Sequence, residues 1–289
     1  MAARAPGPLT GAFLTVRGTL VSTAELASHL REWRVFDCRH DLAKPELGAE
    51  QYRQAHIPGA LFASLDRDLS APKSGRNGRH PLPEIDVFGK WIEKSGLKPA
   101  DQVVCYDGGS GSMAARLWWI LRWAGHDAVA VLDGGFARWT KEGRPVTAEV
   151  PGFAASRYAL RARPEMAVAA SEVLQDGRLL VDARAPARFR GDQEPIDPVA
   201  GRIPGALNRY NMDNLTAEGT LKPAAELRRE FERVLGGRKA AEVVHYCGSG
   251  VAACHNLLAM EVAGLGGGKL FAGSWSEWIA DPSRPRESG

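Results

Sequence analysis

The sequence predicts an α/β protein of two tandem domains, each a parallel sheet with helices on both faces. Three observations carry this. Four blocks of the first half return in order in the second, at offsets of 145, 146, 140 and 139 residues. They are Val35-Phe-Asp37 with Leu180-Val-Asp182, His56-Ile-Pro-Gly-Ala60 with Arg202-Ile-Pro-Gly-Ala206, the stretch from Val103 to Gly111 with that from Val243 to Gly250, and the stretch from Asp133 to Trp139 with that from Ala272 to Trp278. Such spacing is the mark of a duplicated domain. Short apolar, β-branched runs alternate with helical patterns inside each copy. The length of 289 residues, 44% apolar and 25% charged, supplies two cores.

In chain order, Ser22-Thr-Ala-Glu25 ahead of Leu26 and Leu30 is a capping box that opens a helix. Runs over 34–37, 103–106 and 129–132 have the length and branching of buried parallel strands. Val251, Cys254, Leu258, Val262 and Leu265 fall on one helical face, with the stop at Gly264 or Gly266. The stretch from Pro145 to Pro164, with three prolines, reads as the linker. The expected division is therefore a domain over 10–145, a linker over 146–160 and a domain over 161–281. The tail from Asp281 to Gly289 reads as frayed.

Composition excludes several classes. The chain holds 37 basic and 34 acidic residues, spread evenly over its halves, so no basic stripe marks a nucleic-acid or membrane-surface partner. The most apolar stretch, Met113 to Leu132, is interrupted by Arg116, Arg122, His126 and Asp127, which excludes a spanning helix. Four scattered cysteines make neither a disulfide scaffold nor a zinc site, so no metal is expected. The N-terminus lacks the apolar run of a secretion signal, although no acid precedes Glu25, as in an organellar transit peptide. A reducing cytoplasm is the expected setting.

The chemistry concentrates in Cys247-Gly248-Ser249-Gly250-Val251-Ala252-Ala253, which follows a strand and opens a helix. Ligands of open parallel sheets sit at such strand ends. Glycines at 248 and 250 let successive amides turn inward as a nest, and the helix start adds its positive dipole end. Cysteines in such settings ionise below the free-thiol value of ~8.5. The same amides would hold a second, negatively charged sulfur, so the loop suits a persulfide carrier. Cys38, Cys105 and Cys254, by contrast, fall in strands or on an apolar stripe and read as core. The matching position of the first copy is Asp107.

The chain resembles the tandem-domain rhodanese and 3-mercaptopyruvate sulfurtransferase family over residues ~10–280. The resemblance rests on HIPGA and RIPGA, the Asp-Gly-Gly-x-x-x-Trp block, VDARAPARFRG and above all CGSGVAA. It implies two rhodanese-like domains, of which the first has lost its nucleophile. It also implies a Cys247 persulfide formed from a small-molecule sulfur donor, passed to cyanide, a thiol or a thioredoxin-like protein, with no organic or metal cofactor. A non-catalytic anion- or protein-binding module is the competing class. Phosphatases of a related fold need an arginine six positions after the cysteine, where this chain has Ala253.

Family members that prefer thiosulfate resemble C-R-K-G, with basic side chains on the loop, whereas C-G-S-G-V is similar to the mercaptopyruvate branch. That favours 3-mercaptopyruvate, with thiosulfate:cyanide transfer as the alternative. Arg188 matches the family's substrate arginine and would pair with the donor carboxylate. Ser249 would hydrogen-bond the substrate carbonyl or relay a proton, and His56 matches a histidine paired with that serine. Asp182 is expected to orient the arginines or the loop, although Asp37 stands at the equivalent place in the first copy. Three positions depart from the pattern: Ala252 replaces a threonine, Arg202 replaces a histidine, and Asp192 to Ala200 holds three acids and no second substrate arginine.

Overall fold

A computed structural model describes residues 18–175 and 177–289. The first sheet contains β1 (Leu20–Val21), β2 (Arg34–Asp37), β3 (Ala60–Phe62), β4 (Val103–Tyr106) and β5 (Val129–Leu132), all parallel in the order β1-β5-β4-β2-β3. The second contains β6 (Leu179–Asp182), β7 (Leu207–Asn208), β8 (Val243–Tyr246) and β9 (Lys269–Leu270), parallel in the order β7-β6-β8-β9. An isolated parallel bridge between Ala167 and Leu270 extends that sheet as β1 extends the first. The helices of the first copy are α1 (Thr23–His29), α2 (Leu47–Gln54), α3 (Ile85–Lys94), α4 (Ser112–Trp123) and α5 (Gly135–Lys141). Those of the second are α6 (Pro186–Arg190), α7 (Ala224–Leu235), α8 (Ala252–Val262) and α9 (Ser274–Trp278). The Ser22 hydroxyl accepts from the Glu25 amide at 3.1 Å, as a capping residue should.

The duplication reaches individual hydrogen bonds. Asp37 grips Arg39 as Asp182 grips Arg184, and each arginine crosses to a backbone carbonyl, of Ala55 at 2.6 Å and of Gly201 at 2.7 Å. The phenol oxygens of Tyr106 and Tyr246 accept from the amides of Ile57 and Ile203. The residue before each Ile-Pro-Gly forms a two-bond antiparallel bridge to the segment that trails the copy: His56 with Thr147, and Arg202 with Glu287. The second bridge overturns the expectation of a frayed tail. Residues 281–289 are docked by Trp278 Nε1 on the Pro285 carbonyl, by Arg202 on Glu287 and by the Gly289 amide on the Arg190 carbonyl.

Helices α4 and α8 pack against each other across the domain boundary. One apolar cluster runs from Phe36 and Cys105 through Leu117, Trp118 and Leu121 to Cys247, Cys254 and Leu258. Helix α8 is consequently buried from Ala253 to Met260 rather than along the single stripe that the sequence implied. It is covered by its own sheet on one side and by the other domain on the opposite side. Residues 148–163 contain no helix or strand and run along the first domain, tied by the Ser156 amide to Glu93 and the Arg161 amide to Ala124. The leader reading and the start of the first expected domain at residue 10 lie outside the described residues.

Candidate active site

Strand β8 ends at Tyr246 and α8 begins at Ala252, so Cys247 to Val251 form the turn between them. Gly250 is demanded by this turn: its φ is +75°, and an added Cβ would meet the Ala272 carbonyl oxygen at 2.2 Å. The turn folds the Gly250 amide back onto the Cys247 sulfur at 3.1 Å. The Cys247 amide donates to Ser274 Oγ at 3.1 Å, while its carbonyl accepts from the Trp275 amide at 2.9 Å. Ser274 sits at φ +54°, the one non-glycine residue with positive φ among the described residues; the repeat places Gly135 at the same spot, with the same φ of +54°. A hydroxyl on Cys247 thus replaces the strain-free glycine.

Cys247 lies in a cavity of about 270 Å³ together with Gly248, Ser249, Arg188, Arg79 and Tyr210. Gly248 lies directly beneath two arginine side chains. A Cβ there would lie 2.7 Å from Arg79 Nη2 and 3.4 Å from Arg188 Nη2, so both guanidiniums lean over the loop. Arg188 is held by Glu194 through Nε at 3.0 Å and Nη2 at 2.7 Å, and by Asp197 at 3.0 Å. Arg79, arriving from the first domain, pairs with the other oxygen of Asp197. Burial alone would raise the Glu194 carboxyl, but Arg188 and two backbone amides hold it below its ordinary value. Burial pushes the Asp197 carboxyl up, and Arg79 opposes it only in part.

Ser249 Oγ lies 2.8 Å from His80 Nδ1, and the far nitrogen of that ring points toward Asp66 at 3.6 Å. Burial, then the charges of Arg116, Arg79 and Lys73, pull the His80 imidazole down to about 3. The ring is neutral at physiological pH, and its approach to Asp66 is a dipolar contact rather than an ion pair. Arg116, on α4, is fully buried and donates to the carbonyls of Gly250 at 3.1 Å and His80 at 2.9 Å. No carboxylate among the described residues pairs with it. Its charge faces the sulfurs of Cys254 and Cys247. Cys254 donates its thiol to the Gly250 carbonyl at 3.2 Å, and burial raises that thiol to about 12. All four cysteines are free.

The first copy shows what its own loop does without a nucleophile. Asp107 turns its carboxylate into the nest: Oδ1 accepts from Gly109 at 2.8 Å and Gly111 at 2.9 Å, and Oδ2 from Met113 at 2.9 Å. An anion is built into the chain where the second copy leaves room for one.

The family model of the rhodanese-like domain matches residues 22–142 and again 166–281. The chain belongs to that family. Among its rhodanese relatives, a probable 3-mercaptopyruvate sulfurtransferase of Pseudomonas aeruginosa is 46% identical over 278 residues, covering 93% of this chain and 98% of that one. A putative thiosulfate sulfurtransferase of Mycobacterium tuberculosis is 36% identical, covering 92% and 95%. The solved structure of 3-mercaptopyruvate sulfurtransferase from Leishmania major superposes with a TM-score of 0.82 at 31% identity, covering 90% of this chain and 74% of that one. The protein is a sulfurtransferase, with small-molecule sulfur donors and acceptors as its substrates.

Among the residues expected at the rhodanese site, Arg188, Cys247, Gly248, Ser249, Val251 and Ala252 meet at the cavity, while Gly250 is buried in the turn and Ala253 turns into the core behind it. His56 does not. It is fully buried, stacked on Tyr52, with its nitrogens on the carbonyls of Tyr52 and Glu149, and the histidine on Ser249 is His80. Asp182 holds Arg184 and reaches Arg188 only through Glu194. Arg202, the other departure, braces the tail. Arg79, from across the domain boundary, brings a second guanidinium beside Arg188 at the cavity. His245 is a core residue with Nε2 on Met260 Sδ at 3.0 Å and Nδ1 without a partner.

Proposed function

We propose that Cys247 carries the transferred sulfur as a persulfide and that 3-mercaptopyruvate is the preferred donor. The observation that supports this best is a sulfur bonded by a loop amide at the floor of a cavity roofed by two guanidiniums. The thiolate of Cys247 attacks the donor sulfur as the donor thiol gives up its proton. The new S–S bond forms, the donor C–S bond breaks, and its electron pair leaves on the enolate of pyruvate. Loop amides from Gly248 to Ala253 hold the charge of the outer sulfur; a single aligned donor of this kind supplies ~2.7–4 kcal/mol in well-studied enzymes. Ser249, on the neutral His80 imidazole, meets the carbonyl oxygen that becomes the enolate and passes it a proton. An acceptor thiolate, cyanide or a reduced thioredoxin-like protein then takes the outer sulfur and returns the thiolate.

Charge favours the monoanionic donor. Arg79 and Arg188 are balanced by Glu194 and Asp197, so the cavity mouth carries no net excess with which to bind the dianion thiosulfate. The first domain, over 10–145, has no nucleophile and supports the site with Arg79 and His80, and the segment 161–281 is the sulfur carrier. The free thiols fit a reducing cytoplasm, and no helix among the described residues is long and apolar enough to cross a membrane.

Cys247→Ser should abolish pyruvate and thiocyanate release, and intact mass after donor treatment should show one extra sulfur on the wild type alone. Turnover that survives the substitution, or a label on another residue, removes the proposal. Higher kcat/KM with thiosulfate plus cyanide than with 3-mercaptopyruvate plus a thiol would reverse the donor preference.

A further inference from the structure

We infer that Asp197 is a built-in competitor for the donor's anionic group and thereby a specificity-determining residue. The inference rests on the donor site proposed above, with Arg79 and Arg188 as its anion-binding groups. One carboxylate oxygen of Asp197 lies on Arg79, and the other lies 3.0 Å from Arg188 Nη2. A side-chain carboxylate therefore bridges the two guanidiniums that lean over Gly248, where a donor's own carboxylate or sulfonate oxygens would go. Glu194 is placed differently. It grips Arg188 through both Nε and Nη2, and it accepts the amides of Ile196 and Asp197, so it is a fixed part of the scaffold. Among the described residues no backbone amide donates to the Asp197 carboxylate; Arg79 and Arg188 are the partners that hold it.

Donor entry must displace one carboxylate by another. A monocarboxylate restores the charge balance that Asp197 provides, whereas a dianion adds a charge that nothing neutralises. Specificity then comes from opposing the wrong donor as well as from attracting the right one. The charged groups facing Asp197 are Arg79 from the first domain, Arg184, Arg188 on α6 and Glu194 on its own loop. Among the two acids, burial raises Asp197, while Glu194 stays below its ordinary range. Acidification weakens the competitor as Asp197 takes up a proton.

Kinetics on the full chain test this. Asp197→Asn keeps the shape and removes the charge. It should lower KM for thiosulfate about tenfold and KM for 3-mercaptopyruvate by less, the effect lying in KM rather than kcat. In the wild type, KM for thiosulfate should fall as the pH is lowered and Asp197 takes up a proton, and this slope should vanish in Asp197→Asn. An unchanged or raised thiosulfate KM in Asp197→Asn overturns the inference. Asp197→Ser, which removes the charge with a smaller side chain, carries the same test if Asp197→Asn fails to fold. Arg188→Met separates the two levels. If it raises KM for both donors while Asp197→Asn lowers neither, only the competitor role falls; if it leaves both KM values unchanged, the donor site itself is misplaced.

Discussion

At the scale of single residues, the site depends on side chains that carry little signal of their own. Cys247, Gly248 and Ser249 could be read from the chain because a strand–glycine–helix turn announces them, whereas Arg188 came only through the family resemblance. His80 and Arg79 could not, since they sit in Gly78-Arg79-His80-Pro81, a loop of the other copy without periodicity or repeat partner. The pairing of His56 with the loop serine failed for a physical reason: its place before Ile-Pro-Gly commits it to the bridge with Thr147. Ser274 was legible in principle, since aligning Asp133–Trp139 with Ala272–Trp278 sets a serine against Gly135. His80→Gln tests the relay at this scale. It keeps a hydrogen-bonding group near Ser249 but removes proton transfer, and turnover with 3-mercaptopyruvate should fall by ~10²-fold. Thiosulfate turnover, whose leaving sulfite needs no proton on carbon or carbonyl oxygen, should change much less. Equal losses with both donors would make His80 a brace.

At the scale of elements, strands and helices followed from local pattern, whereas partners across the domain boundary did not. Runs at 34–37, 103–106 and 129–132 became strands with those bounds, because four-residue branched runs between turn residues have few alternatives. Helix α8 departed from its stripe because α4 covers its outer face, a fact that no periodicity within α8 encodes. The Asp107 loop offers a prediction here. Its carboxylate satisfies amides at the start of α4, so Asp107→Ala should destabilise the first domain by ~2–3 kcal/mol, read as a lower urea midpoint with unchanged slope. Activity should follow stability rather than vanish. A midpoint within error of the wild type would show that water replaces the carboxylate without cost.

At the scale of the whole molecule, buried imidazoles set the response to acid. Burial draws His80 and His245 down to about 3 and His255 to about 4, so all three are neutral in the folded chain. Unfolding returns them to an ordinary value near 6.5, where they bind protons as the pH falls. Their folded-state pKa values are depressed, so the stability they contribute is complete above about pH 6.5 and is lost progressively as the pH falls toward 3–4. Urea midpoints should therefore decline steeply between pH 6.5 and 4. Replacing His245 by Leu should flatten the decline, by removing one proton taken up on unfolding. A profile flat to pH 4 would contradict the burial of these rings.

Arg116, Arg79 and His80 all belong to the copy whose loop carries Asp107, and all three reach the loop that carries Cys247. Duplication normally leaves a spare that can be discarded. Here residues 161–281 alone would keep the Cys247 loop but lose the His80 contact to Ser249, the Arg79 guanidinium over Gly248 and the Arg116 bond to the Gly250 carbonyl. The ancestral single unit cannot be recovered from this chain by cutting it in two.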